Sequence, residues 1–169
     1  MNRRGFTVVE MIITVTIMGI LLTLAVVSVN TSLVRARDDE RRADVESIGL
    51  ALESFYRTGS ANSTEFGVYP SVGILATVVA LNTALPDLTN ETFLAPNNDI
   101  MLSSFIPATN AITTTAGVTP QPSIAQYVYQ PLKANGTLCA AIDTDCRKFN
   151  LYFRLEGDNT VVKVTSKNQ

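Results

Sequence analysis

One carboxylate stands inside a long apolar run near the start of the chain. Residues 6–29 read FTVVEMIITVTIMGILLTLAVVSV, and Glu10 is the single charged residue among them. A carboxylate in the hydrocarbon interior of a membrane costs on the order of 2–3 kcal/mol or more, so such a group usually marks a functional pairing. Nothing else in the run can neutralise it, so its partner must be another chain, a lipid headgroup or a proton. A backbone ammonium created by cleavage before Phe6 of a neighbouring copy would be a suitable partner.

A second candidate site lies near the end of the chain, where Cys139 and Cys146 flank the segment AAIDTD. A single close pair of cysteines in an exported domain is typical of a disulfide. Closing so short a loop would stabilise the fold by roughly 2.5 kcal/mol on the loop-entropy model. Asp143 and Asp145 form a D-x-D pair inside this loop and are weak candidates for calcium ligands. Two carboxylates without further ligands are more simply explained as solvated loop acids.

The composition argues against several classes of function. The chain contains no histidine, which removes the commonest general base and the commonest transition-metal ligand. The sequence shows neither a Walker-type phosphate loop nor a metal-spaced cluster of carboxylates. The net charge is −2 and no strongly basic face is present, which argues against a nucleic-acid partner. We therefore predict a protein that is not an enzyme and needs no cofactor.

The apolar run is long enough to span a bilayer. Its 24 residues would form a helix of roughly 36 Å, against a hydrocarbon core of about 30 Å. Arg3 and Arg4 precede it, so we expect a single-pass anchor with its N-terminus in the cytoplasm. A cleaved secretory signal is disfavoured because the run is too long and no A-x-A site follows. A twin-arginine export signal is disfavoured because it precedes a less hydrophobic, removable segment.

The stretch RRGFTVVEMI closely resembles the class III signal peptide of type IV prepilins and of the pseudopilins of type II secretion. The basic leader, the glycine, the aromatic residue, the glutamate four residues on and the apolar run all match in identity and spacing. The resemblance implies that a membrane peptidase cuts between Gly5 and Phe6 and methylates the new amine of Phe6. It also implies that Glu10 guides assembly. Gly19 falls where these pilins commonly carry a helix-loosening glycine, and close helix packing in a membrane explains it equally well.

The resemblance also implies partners and a location. The chain would sit in the bacterial cytoplasmic membrane, in contact with lipid, before it joins an extracellular pilus. It would bind further copies of itself and other pilins, the prepilin peptidase and methylase, and an inner-membrane assembly platform with its ATPase. Three roles stay open: a structural pilus subunit, which we favour, a secretion pseudopilin, and a minor tip subunit that binds a ligand.

The helical pattern continues beyond the apolar run. Residues 33–48 contain neither glycine nor proline before Gly49, and opposite charges stand three or four residues apart. The predicted ion pairs are Arg35–Asp39, Asp38–Arg41 and Asp38–Arg42. We expect these charges on a solvated face of the helix, where each pair contributes only a few tenths of a kcal/mol.

Farther along the same helix, apolar residues follow a spacing of three and four. Val45, Ile48, Leu52 and Phe55 form one stripe suited to burial against a sheet. Gly59 is the expected end of the helix.

Shorter elements follow. Residues 74–85 are typical of a short helix ended by Pro86. Residues 86–123 are rich in Pro, Asn and Thr, which is typical of an exposed loop region. Alternating patterns predict strands over 124–132, 148–156 and 161–165, with a turn at residues 157–159.

The predicted fold class is α+β. A long N-terminal helix, with a transmembrane half and an amphipathic half, would pack on a C-terminal antiparallel sheet of about three strands. The resemblance implies the same pilin fold. Five segments result: a leader at 1–5, the transmembrane and filament-core helix at 6–29, the soluble half of the helix at 30–58, a loop region with a short helix at 59–123, and a meander with the Cys139–Cys146 loop at 124–169.

Overall fold

The computed structural model describes residues 6–59, 66–96 and 98–168. Gly5 and the rest of the predicted leader lie outside these ranges. The chain divides into two compact units, Met1–Ala36 and Arg37–Gln169.

The described part of the first unit is the beginning of helix α1, which runs over Val8–Thr58. All side chains described between residues 6 and 33 are exposed. The hydroxyl of Thr14 donates to the carbonyl of Met11 at 2.9 Å, and the hydroxyl of Thr23 donates to that of Ile20 at 2.7 Å. These side chains satisfy their hydrogen bonds within the helix, as an apolar environment requires. Among the described residues, α1 is the one helix long and apolar enough to cross a membrane.

In the second unit, α1 presents its apolar stripe to the core. The side chains of Val45, Ile48 and Leu52 are completely buried, which confirms the predicted stripe. The helix ends at Gly59, which adopts a φ of 70°. Its N–H donates to the carbonyl of Phe55 at 2.7 Å. Glycine adopts this left-handed conformation without steric cost, which explains why the helix ends there.

A sheet of four strands packs on this helix face, in the order β1-β2-β3-β4. The strands are β1 (Phe105–Pro107), β2 (Tyr127–Leu132), β3 (Lys148–Arg154) and β4 (Val161–Thr165). Neighbours β2, β3 and β4 are antiparallel, as the sequence predicts, whereas β1 pairs with β2 in parallel. The α+β pilin-like architecture is therefore confirmed, with one additional strand. Strand β1 was not predicted because three residues ending in proline show no alternating pattern.

The connection between α1 and β1 contains short helical pieces. A 3₁₀ turn covers Val72–Ala76 and helix α2 covers Val78–Ala84. The single helix predicted over 74–85 is thus divided, because Thr77 is extended and its side-chain oxygen accepts the N–H of Ala80 at 3.0 Å. Another 3₁₀ turn, Asn90–Phe93, and helix α3, Met101–Ser104, complete the connection.

The prediction of an exposed loop region over 86–123 is wrong in its central part. Phe93, Met101 and Phe105 are buried in the main core together with the helix stripe. Ala108 and Val118 are buried on the other face of the sheet. Single apolar residues scattered through a polar sequence have no periodicity, so their burial could not be recognised.

Polar side chains are also buried on that second face. The Gln130 carbonyl oxygen accepts hydrogen bonds from the Asn150 amide at 2.8 Å and the Tyr152 hydroxyl at 2.9 Å. Its amide nitrogen donates to the carbonyls of Asn110 at 2.8 Å and Ile112 at 3.1 Å. These bonds fix the chain after β1 on the sheet, because a buried amide without partners would be destabilising.

Candidate functional site

Glu10 and Thr7 form a reciprocal cap at the start of α1. The backbone N–H of Thr7 donates to Oε2 of Glu10 at 2.9 Å, and the Thr7 hydroxyl donates to the same oxygen at 2.8 Å. The N–H of Glu10 in turn donates to Oγ1 of Thr7 at 3.2 Å. This arrangement is a capping box, which provides partners for N–H groups that a helix start leaves free. The T-x-x-E spacing was the sequence signal for it, and our sequence analysis missed it.

The cap orients the carboxylate but does not neutralise it. Its donors are uncharged, and within the described residues no ammonium or guanidinium group forms an ion pair with Glu10. Phe6 directly precedes Thr7, whose N–H donates to this carboxylate, and is 81% exposed. The Glu10 carboxylate is therefore held in place and accessible. It is held by the residue that follows Phe6, whose backbone amine the predicted cleavage would create.

Gly19 has no packing role within the described part of the chain. A Cβ atom placed on it would meet nothing within 4 Å. Glycine inside a helix costs about 0.5–1 kcal/mol relative to alanine, and nothing in the described part of this unit compensates for that cost. The position therefore offers either a close approach for another helix or a local weakness in α1.

Residues 1–26 match the family model described as the prokaryotic N-terminal methylation motif. The match supports a protein of the type IV pilin and pseudopilin type. The motif is the class III signal peptide of these proteins, and its range contains Gly5, Phe6, Glu10 and Gly19. Together with the apolar part of α1, it fits insertion into a membrane before assembly. No curated protein and no solved structure matches the chain.

The second unit contains the disulfide between Cys139 and Cys146, whose Cα atoms are 5.8 Å apart. Both cysteines are buried. The N–H of Cys139 donates to the carbonyl of Pro131 at 2.9 Å, and the carbonyl of Cys146 accepts the N–H of Tyr69 at 2.7 Å. The loop between β2 and β3 is therefore anchored at both ends by a covalent bond and by hydrogen bonds.

The two candidate calcium ligands in this loop contact cations of the chain itself. Oδ1 of Asp143 lies 3.0 Å from Nζ of Lys133, and its Oδ2 accepts the N–H of Ala140 at 2.7 Å. The hydrogen bond from Lys133 lowers the pKa of Asp143, and the bond from Ala140 adds to this effect. Oδ1 of Asp145 lies 2.6 Å from Nε of Arg147. The described ranges contain no group of three or more His, Cys, Asp or Glu residues that could hold a metal ion.

The charges on α1 do not all lie on a solvated face, and that prediction is wrong for Asp38 and Arg41. Both are buried, and Arg41 is completely so. Its Nη1 lies 2.9 Å from Oδ1 of Asp38, and its Nη2 lies 3.3 Å from Oε2 of Glu156. Its Nε donates to the carbonyl of Ile124 at 2.8 Å. Spacing along one helix could not reveal these partners, because two of them come from the distant sheet region.

Asp38 and Arg37 attach the turn after β3 to the helix. The oxygens of Asp38 accept the N–H groups of Glu156 at 2.7 Å and of Gly157 at 3.0 Å. Arg37 donates two hydrogen bonds to Glu156, at 2.8 and 2.6 Å. These bonds, with a smaller contribution from Arg41, lower the pKa of Glu156.

The remaining predicted pairs on this part of α1 differ in partner. The structure contains the predicted pair of Asp38 with Arg41. Arg42 lies 3.2 Å from Asp39, three residues earlier, instead of pairing with Asp38. Asp39 therefore pairs with Arg42, although the sequence analysis paired it with Arg35.

A second buried carboxylate binds the end of the chain. Glu53 accepts the hydroxyl of Tyr69 at 3.1 Å and the backbone N–H of Lys167 at 2.7 Å. It also accepts the side-chain amide of Asn168 at 3.1 Å. Sequence analysis missed this residue, because a lone glutamate on a helix gives no signal of burial.

Proposed function

We propose that this chain is a structural subunit of an extracellular type IV pilus, cleaved between Gly5 and Phe6 and methylated on the Phe6 amine. One observation carries the proposal. The exposed apolar part of α1 holds a single carboxylate, Glu10, which a cap orients and no cation of the described chain neutralises.

Assembly follows from two requirements of this helix segment. Its apolar side chains, exposed along more than six turns, must be covered by lipid or by other helices. In a bundle of α1 helices the Glu10 carboxylate would leave water, and the Phe6 ammonium of a neighbouring copy would compensate its charge. Removal of the leader takes away Arg3 and Arg4, so the side-chain net charge changes from −2 to −4.

Other components would supply what this chain lacks. Cleavage and methylation require the prepilin peptidase, and extraction of the apolar helix from the membrane requires work. The sequence has no phosphate-binding loop. We therefore propose that an inner-membrane platform with its ATPase drives assembly, and that this chain contributes only structure and contacts with other pilins.

A role as a pseudopilin of type II secretion is the second candidate, because the same helix physics applies to it. The loop acids favour the pilus: Asp143 and Asp145 are bound by Lys133 and Arg147, whereas a calcium-binding pseudopilin would use such acids for the ion. Thermal unfolding with calcium and with a chelator separates the two. A higher melting temperature in calcium would favour the pseudopilin, and an unchanged one the pilus.

The test of the pilus role begins with filaments sheared from the cell surface. Intact mass and N-terminal analysis should find an abundant chain that starts at N-methylated Phe6. If the chain is scarce in the filaments, the result would favour the tip subunit instead. If the chain is found only in membranes, the result would favour the pseudopilin. A chain that still starts at Met1 in cells with active peptidase would contradict the proposal.

The assembly role is tested with Glu10→Gln, which keeps an oxygen for the Thr7 cap and removes the charge. We expect a processed subunit that stays in the membrane and forms few or no filaments. The matched control is Glu46→Gln, a solvent-exposed carboxylate on the same helix, which should assemble normally. Normal filaments from the Glu10 variant would disprove the role of its charge.

A further inference from the structure

A cleft lies on the outer face of the sheet, formed by side chains of β3 and β4 that point away from α1. Its volume is about 230 Å³, and its lining includes Thr113, Lys148, Lys163, Thr165 and Ser166. Phe149 and Leu151 point to the helix side of β3 and belong to the main core. Side chains alternate along a strand, so Lys148 projects to the opposite side.

The charge of this cleft differs from that of the whole chain. The chain carries a net charge of −2, yet two lysines and no Asp or Glu residue line the cleft. Nearby cations are already paired: Lys133 binds Asp143 and Arg147 binds Asp145. The cleft therefore concentrates positive charge that no carboxylate in its lining balances.

The two cleft lysines retain most of their donors. Nζ of Lys163 donates to the carbonyl of Thr113 at 3.0 Å, which directs the ammonium group towards the cleft. Lys148 forms no side-chain hydrogen bond or ion pair with the parts of the chain that the structure describes. An ammonium group has three donors, so each of the two lysines can still donate hydrogen bonds to an incoming ligand.

We propose that this cleft binds a sugar-sized ligand that carries one oxyanion, a phosphate or a carboxylate. The ammonium groups would bind the oxyanion, and the hydroxyls of Thr113 and Thr165 would bind sugar hydroxyls. The volume is below the roughly 300–1,000 Å³ typical of sites for drug-sized ligands, so the ligand would be no larger than about a single sugar unit. The inference goes beyond subunit assembly and does not depend on it.

A larger groove between α1 and β4 does not carry such an inference. Its volume is about 410 Å³, and its lining contains charges of both signs, from Arg42, Glu46, Glu53 and Lys167. Nothing in the structure shows what covers it. The lining of the cleft at Lys148 and Lys163, by contrast, carries charge of one sign.

The experiment is isothermal titration calorimetry of the full chain in neutral detergent, with glucose 6-phosphate and glucuronate as probes and glucose as the uncharged control. We expect saturable binding of one equivalent of at least one charged sugar, and none of glucose. The double variant Lys148→Gln with Lys163→Gln should weaken binding by at least about tenfold, since charge-assisted hydrogen bonds are lost. The control, Lys133→Gln with Lys167→Gln, removes equal charge outside the cleft and should bind like the wild type.

Binding of glucose equal to that of the charged sugars, or no saturable binding at all, would overturn the proposal. So would an equal loss of affinity in the control variant, since that result indicates unspecific charge attraction. A measurement on the wild-type chain covers the case of a variant that fails to fold. The amide NMR signals of Gly136 and Thr165 should shift with added ligand, and shifts confined to other regions would contradict the site.

Discussion

The guanidinium group of Arg41 lies 2.9 Å from the carboxylate of Asp38, one helical turn earlier, and both side chains are buried. A buried guanidinium is stable only when its donors are occupied, and here a carbonyl and two carboxylates occupy them. The pair thus fixes the distance between α1 and the turn that joins β3 to β4.

Replacing Arg41 by alanine should destabilise the globular unit by about 3 kcal/mol, because Asp38 and Glu156 would lose their shared buried cation. Urea unfolding of the full chain in detergent measures this change. The control is Arg42→Ala, whose exposed pair with Asp39 should contribute less than about 1 kcal/mol. Equal effects of the two substitutions would show that burial of Arg41 has no energetic importance.

Asp44 gives the fold a dependence on pH. Burial raises its pKa to about 6, the hydrogen bond from Tyr127 partly opposes this shift, and the charge of Glu40 adds to it. In the unfolded chain an aspartate has a pKa of about 3.9, so the folded state holds this proton more tightly. The contribution of Asp44 is therefore most favourable below pH 4 and is lost as the pH rises through 6.

We accordingly expect Asp44→Asn to increase the free energy of unfolding at pH 7. The increase should be only about 1 kcal/mol, since solvent screens this half-exposed group. The variant should also lose the part of the pH dependence between pH 4 and 6. Thermal unfolding at a series of pH values measures both effects, with Glu46→Gln as the control on the same helix. An unchanged pH profile would show that Asp44 titrates normally.

The disulfide between Cys139 and Cys146, in the loop between β2 and β3, should stabilise the folded protein. The double variant Cys139→Ala with Cys146→Ala should have a free energy of unfolding about 2.5 kcal/mol lower than the wild type, because its unfolded chain regains the entropy of an eight-residue loop. A reducing agent should shift the wild type to the same stability and leave the variant unchanged. If reduction has no effect on the oxidised wild type, the bond is not a stabilising element.

Gly19 provides a test of the helix bundle that rests on the proposed pilus role. Gly19→Ala should favour the helix of the single chain by about 0.5–1 kcal/mol. It should nevertheless reduce the amount of filament, because the added methyl group hinders both close packing and local loosening. Electron microscopy and the yield of sheared filaments measure the effect, with Ser28→Ala as a control. Undiminished filaments would remove Gly19 from the assembly site.

The sequence predicted the parts of the fold that have a strong local pattern. The continuous apolar run was recognised by its length, and the stripe through Ile48 and the alternation around Leu151 follow a helix period and a strand period. Each of these elements formed as expected. Strand β1 and the burial of Phe93 have no such period, since they depend on contacts with distant parts of the chain.

The candidate site shows the same division. Glu10 was recognised because a charge in an apolar run is conspicuous, and its cap with Thr7 was also readable from spacing. Burial of Asp38 and of Glu53 was not readable, because their partners lie more than one hundred residues away, at Glu156 and Lys167. When a carboxylate accepts hydrogen bonds from the backbone of a distant element, the residues around it in the sequence show no pattern that reveals the interaction.

The two buried carboxylates of α1 also determine how the chain would respond to tension. Asp38 holds the turn before β4, and Glu53 holds the backbone just after β4. They lie 15 residues apart on one helix, which corresponds to about 22 Å. Stretching α1 between them would require rupture of at least one attachment or extension of β4 as well, so this segment should resist tension more than an unattached helix. A pulled filament would instead lengthen before Arg37, where the helix contains Gly19 and the structure describes no attachment to the sheet region.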